Sequence, residues 1–423
     1  MMNDPQHAPI RWSRILFLIV VAFALGEVVV RIGVERMVGQ PFRSLDAYTF
    51  SGFGVYRQNA RYTHPEFVHN SAGFRSTREF AIDKPSGTFR VMAFGSSVVY
   101  SGSAGTHEGT SPRIHTNETL TAYLEPLLKG SGALASYGDV EVINASINRA
   151  LFRHLIPYYI AELGRYHSDV VLVFSNINDS YWVEHRGGTD KYYYDPNVPT
   201  PEEARINQLL NDPSLPAIAE KVVRSAVNRS ALIAVGHRGV ERVMERIHQR
   251  GAQMLRAPDA ATIGVPELAT KDEVDANIDR YLATLGVLLT YLESSGTQPV
   301  VFWEYLLLET EGIKPFTPYE RDVANYLKAA GGGLSDEKKR LRRYVRDRTA
   351  AYLKARDVPM IDIVDDMKSY RGTLFNDYLH YNAEGNRWVA EVIARKLEPI
   401  LERLPERRRQ LTPWGRLGDY HAR

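Results

Sequence analysis

The sequence contains no cysteine. That excludes a disulfide framework, a thiolate zinc site, an iron–sulfur cluster and a cysteine nucleophile, and it suits the chain to any redox compartment. Charge of one sign is also lacking. Lysine and arginine number 52 against 50 acidic residues, a formal net charge of +2, so the broad basic surface of a dedicated nucleic-acid binder is not expected. The histidines, among them His107, His115, His154 and His185, show no ligand spacing that points to a metal. There is no internal repeat and no low-complexity tract. What is there is 44% hydrophobic and 24% charged, the balance of an ordinary folded protein. A length of 423 residues is enough for one large or two smaller domains.

One long apolar run stands near the N-terminus. After Arg11 and Arg14, Ile15–Leu25 is wholly apolar; Gly26 and Glu27 interrupt it, and Val28–Val30 follow before Arg31. A membrane span needs about 20 apolar residues, and an acid at mid-membrane costs about 2.5 kcal/mol or more. Glu27 is therefore expected near the outer interface, paired with Arg31 one turn on. The stretch also fits a cleaved signal peptide with Ala22-Phe23-Ala24 as its small-x-small site, or a buried helix of a soluble protein. Arg31, Arg36 and Arg43 beyond the run weaken the charge asymmetry that would set orientation. The favoured expectation is an uncleaved signal anchor over residues 1–39, a transmembrane helix with the rest of the chain outside the cytoplasm, periplasmic or extracellular.

Residues 40–87 are rich in turn formers and aromatics and suggest an irregular collar. From Phe89 onward, short apolar runs alternate with helical patterns. The runs are Phe89–Phe94, Val140–Asn144, Asp169–Phe174, Pro299–Trp303 and Val358–Ile363. Near-continuous apolar strands are those of a parallel sheet buried on both faces. Alternation with helices such as Thr119–Leu128 and Leu155–Leu163 predicts an α/β fold: a three-layer α/β/α sandwich with a five-stranded parallel sheet. The main domain is expected over 88–183 plus 298–405. Residues 184–297 lack a clear strand and are too long for a loop, so they predict a helical insertion folded over the sheet's edge, with Ala217–Val227 and Val274–Leu292 as amphipathic helices. The Arg-rich end, residues 406–423, is expected to be a solvated basic tail.

Chemistry gathers at the C-terminal ends of parallel strands, and four segments fall there. Gly95-Ser96-Ser97-Val98 follows the first run; the glycine permits a tight turn from which a serine projects at the sheet edge. An ordinary capping serine has the same appearance. Asn144-Ala145-Ser146 follows the second run and Asn176-Ile177-Asn178-Asp179 the third, where asparagine also serves simply as a turn former. Asp377-Tyr378-Leu379-His380 opens a helical segment over Tyr381–Leu397. There the carboxylate can hold the imidazole Nδ1–H so that Nε2 faces outward as a base.

In this order the four segments resemble the sequence blocks of the SGNH, or GDSL-like, hydrolases. Gly95–Val98 resembles the first block, which makes Ser97 the nucleophile in place of Ser96. Asn144-Ala145-Ser146 is similar to the Asn-x-Gly block, Asn176–Asp179 to Gly-x-Asn-Asp, and Asp377–His380 with Glu384-Gly385-Asn386 to the last. The phrase Asn70-Ser-Ala-Gly-Phe-Arg75 is similar to one that many membrane-anchored members carry. The resemblance implies the flavodoxin-like sandwich, a Ser97–His380–Asp377 triad and an oxyanion hole made by the N–H groups of Ser97 and Ser146 with the Asn178 amide. Two positions depart from the family pattern: Ser146 and Asn176 stand where glycines are usual. The implied activity is ester hydrolysis through an acyl-enzyme, needing no metal or organic cofactor, on an O-acylated small molecule or cell-envelope polysaccharide. Two alternatives stay open: an O-acyltransferase with the same triad, and a catalytically silent scaffold. Tyr181, Trp182 and Tyr192–Tyr194 offer a platform for sugar rings, or packing between insertion and sheet.

Overall fold

The structure is a computed structural model and describes residues 12–38, 48–50, 56–60, 62, 67–101, 114–148, 150–175, 177–183, 226, 230–233, 235–236, 270–329 and 334–410. These fall into two compact units. One comprises the N-terminal helix with residues of the 205–262 stretch; the other comprises the sheet and everything packed on it.

In the first unit, α1 (Trp12–Val38) is a continuous helix. Its stretch Arg14–Met37 is long and apolar enough to cross a membrane by length and composition, and of the described residues in it only Val34 is buried. Much of its apolar surface is exposed among the described residues. Glu27 pairs with Arg31 at 2.6 Å, as the spacing predicts. The carboxylate also accepts hydrogen bonds from Ser230 Oγ (2.7 Å) and from the backbone N–H groups of Ala231 (2.9 Å) and Leu232 (3.0 Å). The acid that interrupts the apolar run thus caps the start of a second helical segment, whose first N–H groups have no intrahelical acceptor. Gly26 beside it lets Leu232 approach; a Cβ there would stand 3.3 Å from its Cδ2.

The second unit opens with a short hairpin, β1 (Tyr48–Phe50) and β2 (Tyr56–Gln58). The main sheet comprises β3 (Thr88–Phe94), β4 (Asp139–Asn144), β5 (Val170–Phe174), β6 (Gln298–Phe302) and β7 (Met360–Ile361), all parallel, in the order β4-β3-β5-β6-β7. All five expected strands are present, within one or two residues of the apolar runs except at β7. Every residue of β3, β5 and β6 is buried, which is why the runs lack polar alternation. The edge strand β7 is shorter than its run. Val301 and Trp303 donate to Pro359 and Ile361, but Pro299, next on that side of β6, has no N–H to give, so the ladder begins late.

Helices cover both faces. On one, α3 (Leu120–Lys129) packs against α10 (Ala383–Gln410); on the other, α4 (Phe152–Tyr158), α6 (Lys271–Ser294) and α8 (Asp336–Ala355) lie in contact. The other helices are α2 (Ser97–Tyr100), α5 (Ile177–Val183), α7 (Pro318–Ala329) and α9 (Val364–Met367). The observed architecture is the three-layer α/β/α sandwich.

Three boundaries differ from expectation. Residues 271–294 do not belong to an insertion: α6 buries Val274, Ile278, Leu285, Leu288 and Leu292 and is the crossover that two parallel strands require. Thr270 and Glu273 cap it reciprocally. The described part of 205–262 groups with the N-terminal helix and not with the sheet. Finally, α10 continues through Gln410, into the stretch expected to be tail. Most of Ala217–Val227, and residues 411–423, lie outside the described residues.

At the N-terminal end of the strands, charges are buried in pairs. Arg90 in β3, fully buried, donates through Nε to Glu141 in β4 at 2.6 Å, and Lys84 Nζ meets Asp169 at 2.7 Å. Arg78 reaches Glu125, Asp139 and Glu141.

Candidate active site

At the other end of the strands, Gly95 turns the chain from β3 into α2. A Cβ there would stand 2.8 Å from both Phe174 Cβ and Val99 Cγ2, so only glycine permits this approach of strand and helix. Ser96 is fully buried, while Ser97, the first residue of α2, keeps 6% exposure. Ser96 Oγ has no hydrogen-bond partner among the described residues.

The segment after β4 is laced to this turn. Ala145 N–H donates to Ala93 and Ile147 N–H to Gly95. Asn144 Nδ2 donates to the Val99 carbonyl in α2 (2.9 Å) and meets Thr121 Oγ1 in α3 (3.3 Å). Ser146 is turned onto Asn144: both its hydroxyl and, at 3.4 Å, its backbone N–H point to Asn144 Oδ1. After β5, Asn178 Nδ2 donates to the Ala150 carbonyl at 3.1 Å, and buried Asp179 accepts from Phe152 N–H. Asn176, the side chains of Tyr181 and Trp182, Tyr192–Tyr194, His107 and His185 lie outside the described residues.

Asp377 and His380 are joined. Asp377, fully buried, accepts from His380 Nδ1 at 2.8 Å through one oxygen, and through the other from the backbone N–H groups of Leu379 (2.9 Å) and His380 (2.8 Å). A carboxylate on Nδ1 assigns the proton to that nitrogen and leaves Nε2 as an acceptor. Nε2 is buried and has no hydrogen-bond partner among the described residues. The pair precedes the helix instead of opening it: Phe375 and Tyr381 bridge across a tight loop closed by Asn376 N–H to the His380 carbonyl at 2.7 Å, and α10 starts only at Ala383. Asn382 Oδ1 accepts from Gly385 N–H, and Gly385 packs against the Leu374 carbonyl where a Cβ would collide.

Hydrogen bonds link these segments in series, and none of them joins Ser97 to His380 among the described residues. Asn386 in the first turn of α10 donates to the Glu118 carbonyl just before α3 (3.0 Å), Thr121 in α3 meets Asn144, and Asn144 holds α2 through Val99. Among the described residues there is no group of three His, Asp or Glu side chains able to hold a metal.

The sequence matches no protein-family model and no curated protein. Among solved structures, the chain is similar to a protein from Desulfitobacterium hafniense DCB-2 named as a lipolytic protein of the G-D-S-L family (11% identity, TM-score 0.32, covering 72% of this chain and 98% of that one). It is also similar to a lipase/acylhydrolase from Enterococcus faecalis (14%, TM-score 0.34, 74% and 96%). A third is a catalytic mutant of an acetylxylan esterase from Geobacillus stearothermophilus (12%, TM-score 0.36, 73% and 94%). The fold itself rests on the strand order.

Several groups at this edge escaped sequence reasoning. Glu304, just past β6, accepts from the Ile177 N–H that opens α5 (2.8 Å) and from Ser175 Oγ, anchoring the helix that carries Asn178. Glu320, wholly buried with Lys314 as ion partner, accepts from Leu374 and Phe375 N–H groups. Tyr319 hydroxyl donates to the Asn376 carbonyl, and Leu307 N–H to that of Tyr378. The Asp377–His380 loop is thus clamped from the segment after β6. An acid directly after an apolar strand was the one signal available, at Glu304. Nearby, burial pushes the Tyr381 hydroxyl far above its usual range, with the charges of Glu304 and Glu309 adding to it, so it is a neutral phenol at any physiological pH.

Proposed function

We propose that this chain is a membrane-anchored serine ester hydrolase acting on an O-acylated carbohydrate of the cell envelope. The observation that supports the proposal is the Asp377–His380 pair, whose Nε2 is buried with no hydrogen-bond partner among the described residues, the Ser97 hydroxyl included. A buried acceptor left without a donor costs stability; a base awaiting a reacting hydroxyl is a reason to tolerate it.

In this mechanism Ser97 Oγ attacks the ester carbonyl while His380 Nε2 takes its proton, and Asp377 holds the imidazolium. The oxyanion is met by the N–H of Ser97 and by the Asn178 amide, and the Ser146 N–H joins them by turning from its long 3.4 Å contact with Asn144 Oδ1. The Asn178 amide has two N–H bonds, one of which is spent on Ala150. Each such donor is worth about 3 kcal/mol in the transition state. His380 then protonates the leaving alcohol, and water cleaves the acyl-enzyme by the same route in reverse. The helix α1 supports the anchor and, with it, an envelope substrate.

Treatment of the full chain with a fluorophosphonate probe tests this. The adduct is expected on Ser97, and on neither Ser97→Ala nor His380→Ala protein. An unlabelled wild-type chain, or an adduct on Ser96, overturns the assignment.

A further inference from the structure

In the phrase Asn70–Arg75, Asn70, Gly73 and Phe74 shape the path that brings Arg75 into the interior. Asn70 Oδ1 accepts from the N–H groups of Ala72 (3.1 Å) and Phe74 (2.9 Å), folding the chain into a tight turn. Gly73 has φ +88°, and a Cβ there would stand 2.5 Å from the Gln58 carbonyl. Phe74 is buried against Phe80 and Tyr166. Arg75 then enters the interior at 2% exposure, its guanidinium 4.3 Å from the ring centre of Phe67 and 4.9 Å from that of Tyr100.

There it donates to three carbonyls: those of Tyr100 and Ser101 through one nitrogen (Ser101 at 2.7 Å) and that of Ile114 through the other. Tyr100 ends α2, and Ser101 turns the chain out of it in the left-handed region, at φ +57°. A helix of one turn does not sustain itself, and its last carbonyls have no intrahelical donor. A cation there is favourable, and the planar guanidinium fork can bridge carbonyls from two parts of the chain where a lysine cannot.

We propose that Arg75 is a positioning residue for Ser97: its buried guanidinium ties the far end of the one-turn helix α2 to the chain at Ile114 and thereby holds the Ser97 hydroxyl in its attacking direction. The proposal rests on Ser97 being the nucleophile, and two independent readouts separate failure of the one from failure of the other.

The full chain, wild type and with Arg75→Lys or Arg75→Met, is followed by hydrogen exchange in peptides spanning 97–101 and by the rate of fluorophosphonate labelling. Arg75→Lys keeps the charge and guards against simple unfolding. Exchange in that peptide is expected to rise about tenfold in Arg75→Lys, with peptides from β5 and β6 unchanged. Labelling is expected to slow about tenfold in Arg75→Lys and about a hundredfold in Arg75→Met. Turnover of a soluble acetyl ester should lose kcat with KM held within about twofold. Unchanged exchange at 97–101, or raised exchange with unchanged labelling, overturns the positioning role. Raised exchange in a chain whose wild type does not label leaves Arg75 fixing α2 and removes Ser97 as the nucleophile.

Discussion

Each end of the central sheet buries an ion pair and leaves a polar atom without a partner among the described residues, but only at the C-terminal end is that atom an imidazole nitrogen. At the N-terminal end, Arg90 meets Glu141 and Lys84 meets Asp169, and Arg78 gathers three carboxylates. At the C-terminal end, Ser96 Oγ and His380 Nε2 are buried with no hydrogen-bond partner among the described residues, although Asp377 on the same loop accepts three hydrogen bonds. Buried pairs hold segments in place at both ends, whereas an imidazole nitrogen left buried without a partner costs stability.

The sharpest break of this comparison is Ser97→Ala. Ester turnover is expected to fall by about 10⁴-fold or more, with the urea midpoint within the spread of ordinary surface changes. Retained turnover would make the C-terminal edge as structural as the other. The reverse experiment is Glu141→Leu, which leaves Arg90 buried without its partner. It should lower the unfolding free energy by about 3–5 kcal/mol while leaving turnover per folded molecule unchanged; calorimetry and active-site titration read the two separately. Ser96→Ala removes a buried hydroxyl with no described partner and should stabilise by up to about 1 kcal/mol, with labelling at Ser97 intact. A loss of labelling there would shift the nucleophile by one position.

The smallest effect concerns acid. Burial alone would raise the Asp139 carboxyl, but hydrogen bonds from Arg78 and Lys129 outweigh it and hold the group below its usual value. A carboxyl depressed in the folded state contributes stability above its unfolded value and loses it as pH falls. Stability should therefore decline between about pH 5 and pH 3, and Arg78→Met should flatten that decline by less than about 1 kcal/mol, since both side chains are about a third exposed. Urea midpoints at the two pH values measure it.

Much of the fold was legible because parallel strands buried on both faces leave apolar runs that need no context. The Glu27–Arg31 pair and the Asp377–His380 pair were legible too, since helical and turn spacings are local. The crossover helix α6 was not: its stripe was visible, but only packing against β6 and α4 assigned it to the sandwich. Nor was the support of the site. Arg75 acts on Ile114, Glu304 on Ile177, and Glu320 on Leu374, contacts that no periodicity encodes.

Residue order alone determined which stretches become strands and helices, that the apolar N-terminal helix would carry a charged pair, and that an acid and an imidazole would meet three residues apart. Tertiary structure decided which of two adjacent serines keeps an opening to solvent, which carbonyls a buried arginine ties together, and at which edge an imidazole nitrogen is buried without a bond. The physical reason is distance along the chain. Local geometry follows from neighbouring residues, whereas burial and pairing are settled only when segments far apart in sequence compete for the same space.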